Sequence, residues 1–274
     1  MKIGIFTSTF VRPSFEEVLD VINGYGIKSV QLNMASVTGA DMPDHLEDET
    51  SDHIRKVLDA RGIEIAALSG TFNMIHPDTK ERKKGMQRLG VMAAASLGLG
   101  ASIITLCTGT RSTESMWRRH PANDSEAAWT DLVGSMEKAV RLAEAHEVML
   151  AFEPEVNNVV DSALKARRLI DEIGSPYLKV CIDGANLFHT GELPRMQEIL
   201  DQAFGLLGDD IVIAHAKDLN RDGDAGHEAA GTGLLDYNYY ISLLHDIGFT
   251  GSLVLHSLEE KQVVDSLAFV RGKF

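Results

Sequence analysis

The feature that most constrains the fold is a strict alternation. Eight short apolar runs are each followed by a stretch with helical periodicity, with no break in composition between them. The runs cover residues 3–6, 27–34, 63–68, 101–107, 148–153, 178–183, 211–215 and 252–256. They are continuously apolar rather than alternating, the pattern of parallel strands buried on both faces. The helical stretches between them are 14–24, 51–62, 78–97, 125–146, 162–174, 194–207 and 237–247, with a last one from 259. The first shows why these are helices: Ser14 and Glu17 form a capping box, and Phe15, Val18, Leu19 and Ile22 share one face. Residues 35–50 read as a polar loop. Each spacing suits a right-handed βα unit. Eight such units predict an α/β protein with one closed (β/α)8 TIM barrel spanning 1–274. A doubly wound open sheet is the competitor. It normally carries a Gly-rich phosphate turn after its first strand, and Phe6-Thr7-Ser8-Thr9-Phe10 is not one.

In such barrels the reactive side chains lie at the C-terminal ends of the strands. Strands five to eight end here on Glu153, Asp183, His215 and His256. A charged group at the end of an apolar run is expensive to desolvate and needs a partner. Two carboxylates and two imidazoles around one centre suit a single divalent ion, Mn²⁺, Co²⁺, Mg²⁺ or Zn²⁺. Any one of the four alone could be a strand-end group paired with a neighbouring loop. Four in equivalent, successive positions weaken that explanation.

Charge and cysteine usage narrow the partners. The formal net charge of −14 opposes nucleic acid. Cys107 and Cys181 sit in apolar runs, as reduced core residues would, which predicts a cytoplasmic protein. No apolar run approaches membrane-spanning length, so no membrane partner is expected.

Phe152-Glu153-Pro154, Asp183-Gly184-Ala185-Asn186-Leu187, His215-Ala216-Lys217-Asp218 and Gly231-Thr232-Gly233 carry a resemblance. The chain resembles the sugar phosphate isomerase/epimerase group of the xylose-isomerase-like TIM barrels over essentially its whole length. The resemblance implies an isomerase or epimerase that uses one divalent metal ion to move a proton beside a carbonyl of a sugar, through an enediolate. In the related ketose 3-epimerases the metal is held by Glu, Asp, His and a second Glu. Glu153, Asp183 and His215 match the first three, and His256 stands where those enzymes have the second Glu. His256 is then base, or ligand only, or Glu259 or Glu260 reaches in from the following loop. Arg221 stands at the offset of a sugar-binding arginine, Asn186 replaces a histidine, and Val159 replaces a sugar-contacting glutamate. The resemblance also implies a homodimer or homotetramer.

Other residues have two readings each. His76 either lines the pocket or caps the third helix. Trp117 and His120, in a long loop, could cover a sugar as a lid. Arg111, Arg118, Arg119 and Lys217 are basic groups in an acidic protein and could meet a phosphate, or could be solvated. Lys217 and Asp218 could pair with each other or with Glu155. The rival functions are a polyol or inosose dehydratase on the same metal, an abasic-site endonuclease of the same superfold, and a non-catalytic sugar-binding barrel. The endonuclease needs several zinc ions, and strand two, ending Gln31-Leu32-Asn33-Met34, supplies no such ligand.

Overall fold

The structure is a computed structural model that describes residues 1–274. Eight parallel strands close on themselves: β1 (Lys2–Phe6), β2 (Ser29–Leu32), β3 (Glu64–Ser69), β4 (Ile103–Cys107), β5 (Met149–Glu153), β6 (Leu178–Asp183), β7 (Ile211–Asp218) and, after a short β8 (Glu228–Ala229), β9 (Ser252–Leu255). Neighbours pair in chain order, β6 pairs with β7, β7 with β9, and β9 with β1. The helices α1 (Phe15–Gly24), α2 (Ala35–Thr38), α3 (Asp48–Asp59), α4 (Thr79–Leu99), α5 (Glu126–Ala145), α6 (Ala163–Ile173), α7 (Met196–Leu207), α8 (Tyr237–Asp246) and α9 (Val263–Arg271) connect them. Most of the apolar core lies between the strands and this helical ring. Ser14 caps α1 as its spacing predicts, its side chain accepting from the Glu17 amide at 3.3 Å. No helix is long and apolar enough to cross a membrane.

Several boundaries differ from the sequence expectation. The stretch 35–50 holds a helical turn, α2, and α3 begins at Asp48 rather than Ser51, because Asp48 and Glu49 suit the positive end of a helix. The seventh and last helices start as 3₁₀ turns, Leu193–Arg195 and Glu260–Gln262. Strand β2 is shorter than 27–34. Strand β7 runs on to Asp218, three residues beyond His215, because Lys217 and Asp218 gain antiparallel partners in Ala229 and Glu228.

The extra length of β7 has a purpose visible in its last residue. The buried Asp218 carboxylate accepts from the amides of Leu219 (2.9 Å), Leu235 (2.9 Å) and Gly231 (3.1 Å). It does not pair with Lys217, as the sequence allowed. The Gly231-Thr232-Gly233 loop wraps this carboxylate so closely that a Cβ on Gly233 would sit 2.4 Å from its Oδ1. Asp218→Ala strands three amides, so we expect a loss of at least about 3 kcal/mol in a denaturant melt. An unchanged midpoint would show that the loop is held by other contacts.

Inside the barrel the side chains follow the two-residue period of the strands. Ala67, Ile103, Ala151, Cys181, Ile213 and Val254 form a small apolar plug. Two residues further along the same faces come Ser69, Thr105, Glu153, Asp183, His215 and His256. Cross-strand register sets Asp183 directly beside His215 and Cys107 beside Glu153. The plug seals the floor, and every polar group two steps above it faces the mouth.

Candidate metal centre

Glu153, Asp183, His215 and His256 each offer one ligand atom, and these atoms all lie within 4.8 Å of one another. His215 Nδ1 is 3.4 Å from Glu153 Oε1 and 3.9 Å from Asp183 Oδ2, and His256 Nε2 is 3.1 Å from Asp183 Oδ2. Asp183 is fully buried, and His215 almost so.

The surroundings fix how these groups are turned. The Gln31 amide nitrogen donates to Ser69 Oγ (3.1 Å) and Thr105 Oγ1 (2.9 Å), so its oxygen accepts from His215 Nε2–H at 3.0 Å. The proton therefore sits on Nε2, and the Nδ1 lone pair points at the two carboxylates. Three electron-rich atoms aimed at one another repel unless a cation lies between them. The donor set thus fits a divalent ion on chemistry as well as spacing. Asn186 Nδ2 donates to Glu153 Oε1 at 2.6 Å, while its own oxygen accepts from the Gly226 amide at 3.2 Å. Asp183 Oδ1 accepts from the Ala185 amide at 2.9 Å, capping the 3₁₀ turn that carries Asn186 into place. Phe6 stacks on His256 (4.9 Å between centroids) and meets His215 edge-on at 5.5 Å, which stops both rings from rotating.

Lys217, also buried, lies 3.4 Å from Asp183 Oδ2. Burial would raise the Asp183 carboxyl, but the Lys217 charge holds it well below the usual range. Glu153 is likewise lowered against burial when His215 is cationic and donates from Nδ1, a role that a bound cation would take over. Burial and the neighbouring His215 push His256 down to about 4, so its imidazole is neutral at pH 7. Ser257 Oγ stands 3.2 Å from His256 Nδ1 and can accept its proton, which frees Nε2 as a ligand.

The cluster opens into a cavity of about 400 Å³, within the range of small-molecule sites. Lys217 and Trp117 line it, and Trp117 is 45% exposed at its mouth. The remaining sequence candidates lie elsewhere. His76 Nδ1 accepts from the Asp78 amide (3.1 Å) just before α4, which is the capping role. Arg221 is exposed and paired with Asp224 at 3.1 Å. His120 caps the 3₁₀ turn Pro121–Asp124. Arg111 binds Asp131, Arg118 binds Glu114, and Arg119 binds Asp124 and Asp161. Glu260 is engaged with Arg12 at 2.5 Å, and Glu259 caps the turn before α9; neither reaches the cluster.

Two residues escaped sequence reasoning. Gln31 was read only as a missing ligand, whereas it orients one. The signal was an amide set between Val30 and Leu32 in the middle of a buried strand. Glu155 lines the same cavity, is 3% exposed, and leaves Oε1 without a hydrogen-bond partner. Burial pushes its carboxyl up to about 8 against the pull of Lys217. Its signal was position: two residues past Glu153.

A model of the xylose isomerase-like TIM barrel family matches residues 19–273. The chain belongs to this family. Solved structures with the same barrel include a D-tagatose 3-epimerase-like protein (13% identity, TM-score 0.77, covering 100% of this chain and 97% of that one). A second is the 3-keto-D-glucoside 4-epimerase of E. coli (16%, 0.75, 99% of both chains). A third is the IOLI protein with a binding zinc atom (17%, 0.72, 100% and 96%). No curated protein matches this xylose isomerase-like chain.

Proposed function

We propose that this protein is a metal-dependent isomerase or epimerase that moves a proton beside the carbonyl of an unphosphorylated sugar. The observation that carries the reading is the convergence of Glu153, Asp183, His215 and His256, one ligand atom each within 4.8 Å, at the mouth of the barrel. Two structural relatives named as sugar epimerases and one with zinc support it. A bound divalent ion would supply Lewis-acid stabilisation of the charge that develops on the substrate's carbonyl oxygen.

The chain's own residues supply the rest. Glu153 is the group that takes the proton. It is ionised, and Asn186 holds one of its oxygens in place, whereas Asp183 is committed to Lys217 and His256. His215 and Asp183 serve as ligands held by their hydrogen bonds. His256, neutral and clamped by Phe6, completes the ligand set through Nε2. Return of a proton to the opposite face of the same carbon gives epimerisation; return by Glu153 to the adjacent carbon gives aldose–ketose isomerisation. The arginines support an unphosphorylated substrate. Arg111, Arg118, Arg119 and Arg221 all spend their charge on carboxylates outside the cavity, so no guanidinium is left to grip a phosphate there.

The test is elemental analysis of the purified protein, followed by NMR of ketoses and inosose incubated with it in D₂O. One ion per chain and deuterium appearing on a carbon beside the carbonyl are expected. No exchange with any compound, or several zinc ions per chain, would defeat the proposal. Gln31→Leu checks the ligand geometry separately. It removes the acceptor that sets the His215 tautomer, and we expect metal affinity to fall about 10- to 100-fold in a competition titration with a chelator.

A further inference from the structure

We propose that Glu155 is a specificity-determining residue: its carboxyl binds one hydroxyl of the substrate, on the Lys217 side of the cavity. This deepens the reading above and rests on it. The starting point is an idle atom. Glu155 is almost wholly buried, yet Oε1 has no partner. Buried polar groups are nearly always hydrogen-bonded, and leaving one unpaired is destabilising. The side chain nonetheless lines the cavity, where a ligand could satisfy it.

The backbone beneath it is held firmly. The Glu155 amide donates to Val160 O (3.0 Å), and its carbonyl accepts from the Asn158 amide (2.8 Å), so residues 155–160 close a tight turn. The turn is pinned on both flanks. Val156 N donates to Asn186 O (3.0 Å), the Gly109 amide donates to Asn158 Oδ1 (2.5 Å), and Val160 N donates to Thr108 Oγ1 (3.2 Å). The backbone that carries Glu155 is therefore fixed, two residues past the end of β5, and its side chain lines the same cavity as Glu153. Asn186 serves both groups, its side chain on Glu153 and its carbonyl on the turn, so the two carboxyls are indexed to each other. A polyol held at the cluster brings its next hydroxyls along the wall that Glu155 and Lys217 form. A site built to bind a hydroxyl discriminates strongly against the analogue that lacks it.

The experiment compares the metal-loaded wild type with Glu155→Gln and Glu155→Ala. The ligands are the best-bound ketose among D-fructose, D-tagatose and D-psicose, and its monodeoxy derivatives. Calorimetry reads affinity, steady-state kinetics reads KM and kcat, and elemental analysis and thermal melts report metal content and folding. We expect Glu155→Ala to bind the parent ketose about 10- to 100-fold more weakly, as KM rather than kcat, with one ion per chain retained. One monodeoxy ketose should bind the wild type with the same loss, and lose nothing further in the variant, closing a double-mutant cycle. Glu155→Gln, which keeps the shape, should melt no lower than the wild type, because no folded-state contact of Oε1 is removed. Parent binding that is equal in all three proteins, or a deoxy penalty equal in wild type and Glu155→Ala, overturns the assignment and leaves the sugar reading standing. A wild type that binds none of the ketoses overturns both.

Discussion

Asp183→Asn should strip the protein of its metal and destabilise it at once. Asp183 Oδ2 sits within 4 Å of His256, Lys217 and His215, so one carboxylate is ligand, hydrogen-bond acceptor and counter-ion together. An amide keeps the volume but carries no charge. Lys217, 5% exposed, then faces the barrel interior without its nearest anion. Removing one partner of a buried ion pair typically costs about 3–5 kcal/mol. For a chain of this size that corresponds to a fall in melting temperature of roughly 5–9 °C. Elemental analysis should find well under one ion per chain, and turnover should vanish with it. If the variant kept both its ion and its melting point, the cluster would be a structural salt-bridge network rather than a metal centre. The sign with pH follows from the same geometry. The folded-state Asp183 carboxyl lies below its unfolded value, so its stabilisation is present above the ordinary carboxylate range and drains away as pH falls through and beneath it.

Glu153→Gln separates chemistry from assembly. Gln retains an oxygen for Asn186 Nδ2, now at 2.6 Å, so the fold and the cavity wall should survive. What disappears is the basicity, together with a charge that would help hold the ion, so the variant is assayed with its metal content restored to that of the wild type. General-base removal lowers turnover by about 10²- to 10⁴-fold, and that is the expected loss in kcat for the best ketose, with the melting temperature close to that of the wild type. Deuterium exchange in D₂O should fall in parallel, since the same group moves the proton. Exchange at the wild-type rate in Glu153→Gln would assign the base elsewhere, and the reading of Glu153 would be wrong.

The barrel could be read from sequence because its signal is redundant. Eight apolar runs, each buried on both sides, repeat one message, and mistaking the ends of any one does not alter the topology. The four strand-end groups were readable for the same reason: a charge terminating an apolar run has few innocent explanations. What escaped was everything set by contacts between distant segments. Whether Lys217 faces Asp183, Asp218 or Glu155 depends on the twist of β7, and the extension of that strand depends on two residues of β8 that carry no strand signal of their own. The roles of Arg111, Arg119 and Glu260 were open because their partners Asp131, Asp161 and Arg12 are remote in the chain. Gln31 is no metal ligand, and its role as the acceptor that orients His215 depends on a strand five places further along the barrel.

The pairing of β9 with β1 has a consequence for how the centre comes into being. Register places Leu255 beside Ile5, and the chain thereby brings His256 onto Phe6. A growing polypeptide can raise the walls that carry Glu153, Asp183 and His215 well before the eighth parallel strand emerges. Until that strand docks, β1 and β7 each expose a raw edge and the candidate ligand cluster lacks His256. Closing the sheet and assembling the four side chains are thus one event, and a metal bound there would act as the latch of the ring.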